Sequence, residues 1–280
     1  MNTIPIPDAE WPAALTIAGF DPSGGAGTIV DIKTFVHFGC RPVAAITSLT
    51  FQNAQEVFGA THESGASLRA QILPIVDEFR LTAVKTGMLP TAELVLEVAR
   101  LIREGNLLAP VIDPVLRSSS GFTLMEEDAV GLLLRELMPL ARVITPNIWE
   151  AEQLAGLRIE NEEGMRDAAS RLRSMGARAV LIKGGHLSSK KSEVTSQKSE
   201  ETRQAIDILD DGGQVTFFRG EWIDTQGVRG TGCMLSSAIA ACLAQGKNLE
   251  EAVRLAKQFV SDALSDASRL RKSAGYAGTY

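Results

Sequence analysis

The strongest constraint on the fold is the alternation of short apolar runs with amphipathic segments along almost the whole chain. The apolar runs are mostly short and continuous, which is typical of parallel strands covered on both faces. The segments between them repeat apolar residues every three or four positions, which predicts helices. Strands and helices that alternate in this way indicate βαβ units and a doubly wound α/β sheet.

The predicted elements cover most of the chain. The predicted strands are 14–18, 43–49, 83–85, 111–112, 143–144 and 179–182, followed by a hairpin at 205–209 and 215–218. The predicted helices are 27–38, 67–79, 92–103, 127–137, 149–154, 162–175, 230–244 and 249–264. Segment 187–204 is built from polar residues and is expected to be a flexible surface excursion. No linker divides the sequence, so residues 1–280 are predicted to form one domain.

Composition excludes several classes of protein. The net charge of −6 and the pI of 5.3 argue against nucleic acid as the main partner, because phosphate backbones select basic surfaces. Three cysteines make a poor disulfide framework. The first residues lack the basic and apolar regions of a signal peptide, and no apolar run is long enough to span a bilayer. We therefore expect a reduced, cytoplasmic protein.

A glycine-rich loop follows the first predicted strand. Its sequence, AGFDPSGGAG, places three glycines in four positions (Gly24, Gly25 and Gly27), where the backbone can bend sharply or approach a ligand closely. The helix that follows begins with free amide donors. The loop matches neither the dinucleotide fingerprint nor a Walker A motif. A tight turn between strand and helix, without a ligand, is an equally open interpretation.

A second glycine motif, Gly230-Thr231-Gly232-Cys233, opens the penultimate predicted helix. Amides at a helix N-terminus form an anion cradle, which can stabilise charge on a transferring phosphoryl group. Cys233 lies in the first turn, where the helix dipole is expected to lower the pKa of the thiol and suit it as a proton acceptor. The alternative is that Cys233 is a small packing residue.

Polar residues follow three further predicted strands, at the end where open α/β sheets place ligands. Asp113 could serve as a carboxylate beside a metal, and Lys183 could neutralise a nucleotide phosphate. Asn147 and Glu150 lie three positions apart, so they share one helical face and could hold Mg²⁺ through water. The alternative for this pair is a helix capping box.

These motifs, in this order, resemble the hydroxymethylpyrimidine/phosphomethylpyrimidine kinase family of thiamine biosynthesis. The resemblance rests on residues 14–35, 51–53, 85–89, 113–115, 144–151, 183–186 and 224–233 and extends from about residue 13 to 266. It implies a ribokinase-like three-layer αβα sandwich around a mostly parallel sheet. It also implies phosphorylation of hydroxymethylpyrimidine, and then of its monophosphate, with ATP and Mg²⁺. Family oligomers are commonly dimers, so the resemblance leaves a homodimer open.

The resemblance also implies roles for individual residues. Gln52 would pair with the ring amino group and a ring nitrogen, because a carboxamide both donates and accepts. Cys233 is the family's proposed base. The implied pyrimidine pocket is Gly19, Ala26, Asp31, Gln52, Met88, Val115 and Cys233. For the phosphate side, the resemblance implies that Asp113 and Glu150 bind the metal and that Asn147 and Lys183 bind the nucleotide. It implies an anion hole formed by Gly230, Thr231 and Gly232.

Two positions depart from the family pattern. Ser119 stands where a lysine is usual, which bears on the second phosphorylation, and Arg117 could substitute for that lysine geometrically. Arg229 stands where histidine is usual before the second glycine motif.

Two other functions stay open. A pyridoxal or pyridoxine kinase acts on a similar hydroxymethyl ring, and a non-catalytic protein could bind a vitamin precursor.

Overall fold

The computed structural model describes residues 11–53, 55–118, 120–185, 204–223 and 229–273. Its centre is one nine-stranded sheet with the strand order β3-β2-β1-β4-β5-β6-β7-β8-β9. The strands are β1 Ala13–Phe20, β2 Arg41–Gln52, β3 Val57–His62, β4 Leu81–Thr86, β5 Val111–Ile112, β6 Val143–Ile144, β7 Ala179–Ile182, β8 Gln204–Asp211 and β9 Gln214–Glu221.

Eight α-helices surround the sheet in the described part of the chain. They are α1 Gly27–His37, α2 Gly65–Glu78, α3 Ala92–Arg103, α4 Glu127–Leu132, α5 Ile148–Ala155, α6 Glu162–Ser174, α7 Thr231–Ala244 and α8 Leu249–Ser273. One apolar cluster packs α2 to α6 on one face of the sheet, and another packs α1, α7 and α8 on the other. The predicted three-layer αβα sandwich is confirmed.

Six strands run parallel, because β1, β2, β4, β5, β6 and β7 pair only in that direction with one another. The edge strand β3 and the hairpin β8–β9 are antiparallel additions. The continuous apolar character of β1 and β7 follows from helices on both faces, since every residue of β7 and nearly every residue of β1 is buried. The carboxyl ends of the parallel strands therefore meet along one edge.

Three elements differ from the sequence-based prediction. Strand β3 is missing from the sequence-based prediction, because its six residues pair only with β2 and no local period marks them. The predicted helix 127–137 is α-helical only to Leu132 and continues as a π turn at Leu133–Leu137. Helix α8 extends to Ser273, beyond the predicted end at residue 264. Apart from Gln204, which begins β8, the predicted surface segment 187–204 lies outside the described residues.

Within the described ranges, no helix combines the length and the apolar character that crossing a lipid bilayer requires.

Candidate active site

A cavity of about 920 Å³ opens where the parallel strands end. This volume is within the range of small-molecule sites. Every described residue that the sequence proposed for the site lines this cavity except Asp31. These residues are Gly19, Ala26, Gln52, Met88, Asp113, Val115, Asn147, Glu150, Lys183, Gly230, Thr231, Gly232 and Cys233. The fold thus gathers segments that are far apart in sequence at one edge of the sheet.

The two glycine motifs are in direct contact. A Cβ atom at Gly230 would lie 2.3 Å from the carbonyl oxygen of Gly25, so no larger residue fits without displacing backbone. Gly230 also has φ +75°, the left-handed conformation that favours glycine. No side chain of the described residues caps α7, and its first backbone bond runs from the Met234 amide to Gly230. The amides of the first turn therefore face the cavity as an anion cradle.

Cys233 lies in this first turn, and the Gly27 amide at the start of α1 acts to lower the pKa of its thiol. Burial raises the pKa of the Cys233 thiol to about 11, although the positive charge of Lys85 acts in the opposite direction. The predicted lowering of this pKa is therefore wrong. The cost of desolvating a thiolate exceeds the stabilisation that helix amides and Lys85 provide.

Lys85 is a cavity residue to which the sequence analysis assigned no role. Its ammonium donates to the Asp31 carboxylate at 2.7 Å, and both side chains are fully buried. Burial alone would lower the pKa of Lys85, but the charges of Asp31, Cys233 and Asp113 outweigh that effect and raise it. A permanent cation is thus held behind the cavity, close enough to Cys233 to favour its thiolate.

Asp31 does not line the cavity. The resemblance implies a direct contact between Asp31 and the substrate, and the structure does not place it for such a contact. One carboxylate oxygen accepts from Thr16 at 2.6 Å and from Lys85, and the other accepts from Ser237 at 2.6 Å. With no exposed surface, Asp31 can influence a ligand only indirectly, through its ion pair with Lys85 and through the effect of its charge on Cys233. The local sequence could not reveal this, because its partners come from β1, β4 and α7.

One side of the cavity suits a small flat ring. The sulfur of Met88 would lie 3.0 Å from a Cβ at Gly19, so a side chain there would displace the thioether. Thr47 fixes Met88 by donating to its carbonyl oxygen at 2.7 Å. Met88 and Val115 supply apolar surface to the cavity, and Gln52 supplies a carboxamide to its lining. Few polar groups among apolar walls are typical of small-molecule sites.

The side chain of Gln52 is hydrogen-bonded to a second residue of the cavity lining. Arg229, which directly precedes the second glycine motif, donates from Nη2 to Gln52 Oε1 at 3.1 Å. Its Nη1 donates to the carbonyl oxygen of Asn53. Arg229 therefore connects the end of β2 to the start of α7 at the margin of the cavity.

Another part of the cavity carries paired charges. Lys183 donates to Asp113 Oδ1 at 2.9 Å, and a Cβ at Gly232 would lie 3.2 Å from the Lys183 ammonium. Burial would lower the pKa of Lys183, but Asp113 and Glu150 outweigh this effect and raise it. A stable cation thus lies beside the anion cradle, as a phosphate-binding site requires.

Asn147 and Glu150 form the capping box that was one of the two interpretations of their spacing. Asn147 Oδ1 accepts from the Glu150 amide at 2.9 Å, and Glu150 Oε2 accepts from the Asn147 amide at 2.8 Å. Burial raises the pKa of Glu150 to about 7, with Lys183 opposing and Asp113 reinforcing the shift. A capping residue can still face a ligand, and both side chains line the cavity.

Arg117 lies on the rim with its guanidinium carbon 4.4 Å from the ring centroid of Trp149. Within the described residues, no carboxylate lies within ion-pair distance of Arg117. Its donors are therefore available to an anion in the cavity. Ser119, the other departure in this loop, lies outside the described residues.

Three further lining residues add apolar surface to the cavity. Trp222, which directly follows β9, donates from its indole to the carbonyl oxygen of Gly185 at 2.9 Å. Val260 and Leu264 of α8 are the other two. These residues carry no local motif, and only the tertiary fold reveals that they line the cavity.

The chain matches known proteins along most of its length. A family model described as phosphomethylpyrimidine kinase matches residues 21–277. A curated hydroxymethylpyrimidine/phosphomethylpyrimidine kinase from Streptomyces coelicolor is 39% identical over 263 residues, which cover 94% of this chain and 92% of that protein.

Solved structures agree with the sequence comparison. The crystal structure of phosphomethylpyrimidine kinase from Clostridium difficile has a TM-score of 0.76 and 35% identity, with 90% of this chain and 99% of that chain covered. Pyridoxal kinase from Staphylococcus aureus, solved with AMP-PCP, has a TM-score of 0.78 and 29% identity, with 91% and 89% covered. The ribokinase-like fold is shared by both enzymes.

Proposed function

The chain belongs to the phosphomethylpyrimidine kinase family, and we propose that it transfers the γ-phosphoryl group of ATP to the hydroxymethyl oxygen of hydroxymethylpyrimidine. It is a kinase, and the family implies ATP as the phosphate donor. One observation carries the substrate assignment. The amide cradle that begins at Gly230 adjoins a pocket in which Gln52 and Met88 offer one carboxamide and one apolar wall. A phosphate site beside a flat polar-edged pocket suits an aromatic alcohol.

The mechanism follows from the positions of the chain's own groups. Gln52 and Met88 orient the ring so that its hydroxymethyl oxygen faces the phosphate side. Holding the hydroxyl and the γ-phosphate in position in this way lowers the entropic part of the activation barrier. The amides of Thr231, Gly232 and Cys233 stabilise the charge that develops on the phosphoryl oxygens. Cys233, as thiolate, accepts the hydroxyl proton, and Lys85 favours that charged form.

Lys183 and Asp113 form the phosphate side in this proposal. Lys183 neutralises a phosphate oxygen, and its ion pair with Asp113 holds the ammonium beside the cradle. Asn147 and Glu150 fix the start of α5 against the triphosphate through their reciprocal cap.

The donor set on this side also fits Mg²⁺. Within the described residues there is no cluster of three ligating side chains, but Mg²⁺ bound to a nucleotide needs only one or two carboxylates. Asp113 and Glu150 are two buried carboxylates whose like charges act to raise the pKa of Glu150, and a cation between them would relieve that repulsion. When bound, Mg²⁺ would neutralise charge on the β- and γ-phosphate oxygens.

We extend the proposal to the monophosphate as a second substrate. Its added charge needs a cation that is not already paired, and Arg117 on the cavity rim supports this because Trp149 holds its guanidinium in place. Arg117 would thereby replace the lysine for which this sequence has Ser119.

The experiment that tests the proposal measures ATP consumption by the purified protein with hydroxymethylpyrimidine, its monophosphate and pyridoxal as separate substrates. The proposal expects the highest kcat/KM with the two pyrimidines. Turnover with pyridoxal alone would replace the substrate assignment while keeping the kinase chemistry. Binding without ATP consumption would instead indicate a vitamin-precursor binding protein, against which the cradle and Lys183 argue.

A further inference from the structure

Arg229 holds the carboxamide of Gln52 at the margin of the cavity. The two residues are 177 positions apart in sequence, yet Arg229 Nη2 lies 3.1 Å from Gln52 Oε1. The other arm of the same guanidinium donates to the carbonyl oxygen of Asn53, so the planar fork has two fixed acceptors on one strand end. Both Gln52 and Arg229 line the cavity.

This contact decides which way the carboxamide faces. The oxygen and nitrogen of a glutamine side chain can exchange places by a rotation of about 180°, and only hydrogen-bond partners distinguish the two states. A guanidinium only donates. A rotated Gln52 would turn its NH₂ donors towards the Arg229 donors, which is unfavourable, so Arg229 selects the state with Oε1 towards itself.

The selected state presents a defined pattern to a ligand. One N–H of Gln52 Nε2 remains available as a donor, and the second lone pair of Oε1 remains available as an acceptor. A ring edge that carries an acceptor nitrogen beside an amino group complements this pattern. A ring edge with the reverse order, N–H beside a carbonyl oxygen, complements the rotated state.

We propose that Arg229 is a positioning residue that locks Gln52 in one orientation and so sets the preference for an amino-substituted ring edge over an oxo-substituted one. This inference rests on the proposed function for the identity of the ring. Arg229 acts through Gln52 and does not touch the reacting atoms.

The test compares hydroxymethylpyrimidine with the analogue in which the ring amino group is replaced by an oxo group. For wild-type protein and Arg229→Met, KM and kcat are measured for both compounds, and Kd is measured by calorimetry without turnover. We expect Arg229→Met to reduce the amino-over-oxo preference by about ten- to hundredfold, through KM and Kd with a much smaller change in kcat. Arg229→Lys, which keeps a donor-only cation, should retain most of the preference.

Two controls separate this role from a structural one. Arg254→Met removes an exposed arginine of α8 that does not line the cavity, and it should leave the preference unchanged. In a Gln52→Leu background, Arg229→Met should cause no further change in preference, because the carboxamide it orients is gone.

The outcomes distinguish a failure of the proposed function from a failure of the role of Arg229. If the wild-type protein turns over neither pyrimidine, the proposed function fails, and the ratio of Kd values still reports on Arg229. If wild-type protein discriminates and Arg229→Met discriminates equally in both KM and Kd, the role of Arg229 is refuted and the proposed function stands.

Discussion

Turnover should increase steeply with pH because burial keeps Cys233 as a neutral thiol at neutral pH. With a pKa of about 11, only about one molecule in ten thousand carries the thiolate at pH 7, a cost of about 5 kcal/mol. A higher pH deprotonates the thiol, so the active fraction rises about tenfold for each pH unit below the pKa. We therefore expect kcat/KM to rise about a hundredfold over two pH units in the alkaline range.

The assay is kcat/KM for the pyrimidine between pH 7.5 and 9.5, with wild-type protein, Cys233→Ser and Cys233→Ala. Both variants lack an ionisable thiol, so each should lose most turnover and show no steep rise. Lys85 does not titrate in this range, because its pKa is raised above the ordinary lysine value. A flat wild-type profile, together with low activity in Cys233→Ala, would refute proton acceptance by the thiolate and leave Cys233 a contact residue.

Two further measurements isolate the thiol. Glu150 has a pKa of about 7, so its own deprotonation is largely complete at the alkaline end. Glu150→Gln should therefore keep the alkaline slope even where its activity is lower. Alkylation of Cys233 by iodoacetamide should follow the same pH dependence, because the thiolate is the reactive form. Cys40 and Cys242 are buried and will react slowly, so the measured alkylation reports on Cys233.

Three other changes test the remaining parts of the site. Gln52→Leu should raise KM for the pyrimidine about ten- to hundredfold with a smaller effect on kcat, because polar ring atoms lose their partner; an unchanged KM would remove Gln52 from the pocket. Gly230→Ala should lower both thermal stability and turnover, by about 1–3 kcal/mol in the free energy of unfolding, since its Cβ would collide with Gly25. Gly246→Ala is the matched control, with a similar φ of +79° and no atom near its Cβ, and should cost stability but not turnover. Lys183→Met should raise KM for ATP and lower kcat, and equal kinetics would exclude a phosphate contact.

Much of the fold could be predicted from local pattern. The strands at Val111–Ile112, Val143–Ile144 and Ala179–Ile182 have the bounds that the apolar runs indicated. The two glycine motifs were recognised because helix N-termini and sharp turns leave a local signature. Asp113 and Lys183 were also expected at one edge, since parallel strands place their carboxyl ends together.

Long-range geometry set the rest. The edge strand β3 exists because β2 offers a pairing partner, and nothing within Val57–His62 announces it. Asp31 was expected in the substrate pocket but lies in the core, where Thr16, Lys85 and Ser237 donate hydrogen bonds to its carboxylate oxygens.

The sequence by itself determined the alternation of parallel strands and helices, the glycine motifs and the residue types available for phosphoryl transfer, because each depends on neighbours a few positions away. Only the tertiary structure decided the charge state of Cys233 and the orientation of Gln52. The pKa of a thiol depends on all the atoms that exclude water from it, and helix position alone pointed in the wrong direction. The orientation of the Gln52 carboxamide depends on Arg229, which is 177 positions away in sequence, and no local pattern predicts so distant a contact.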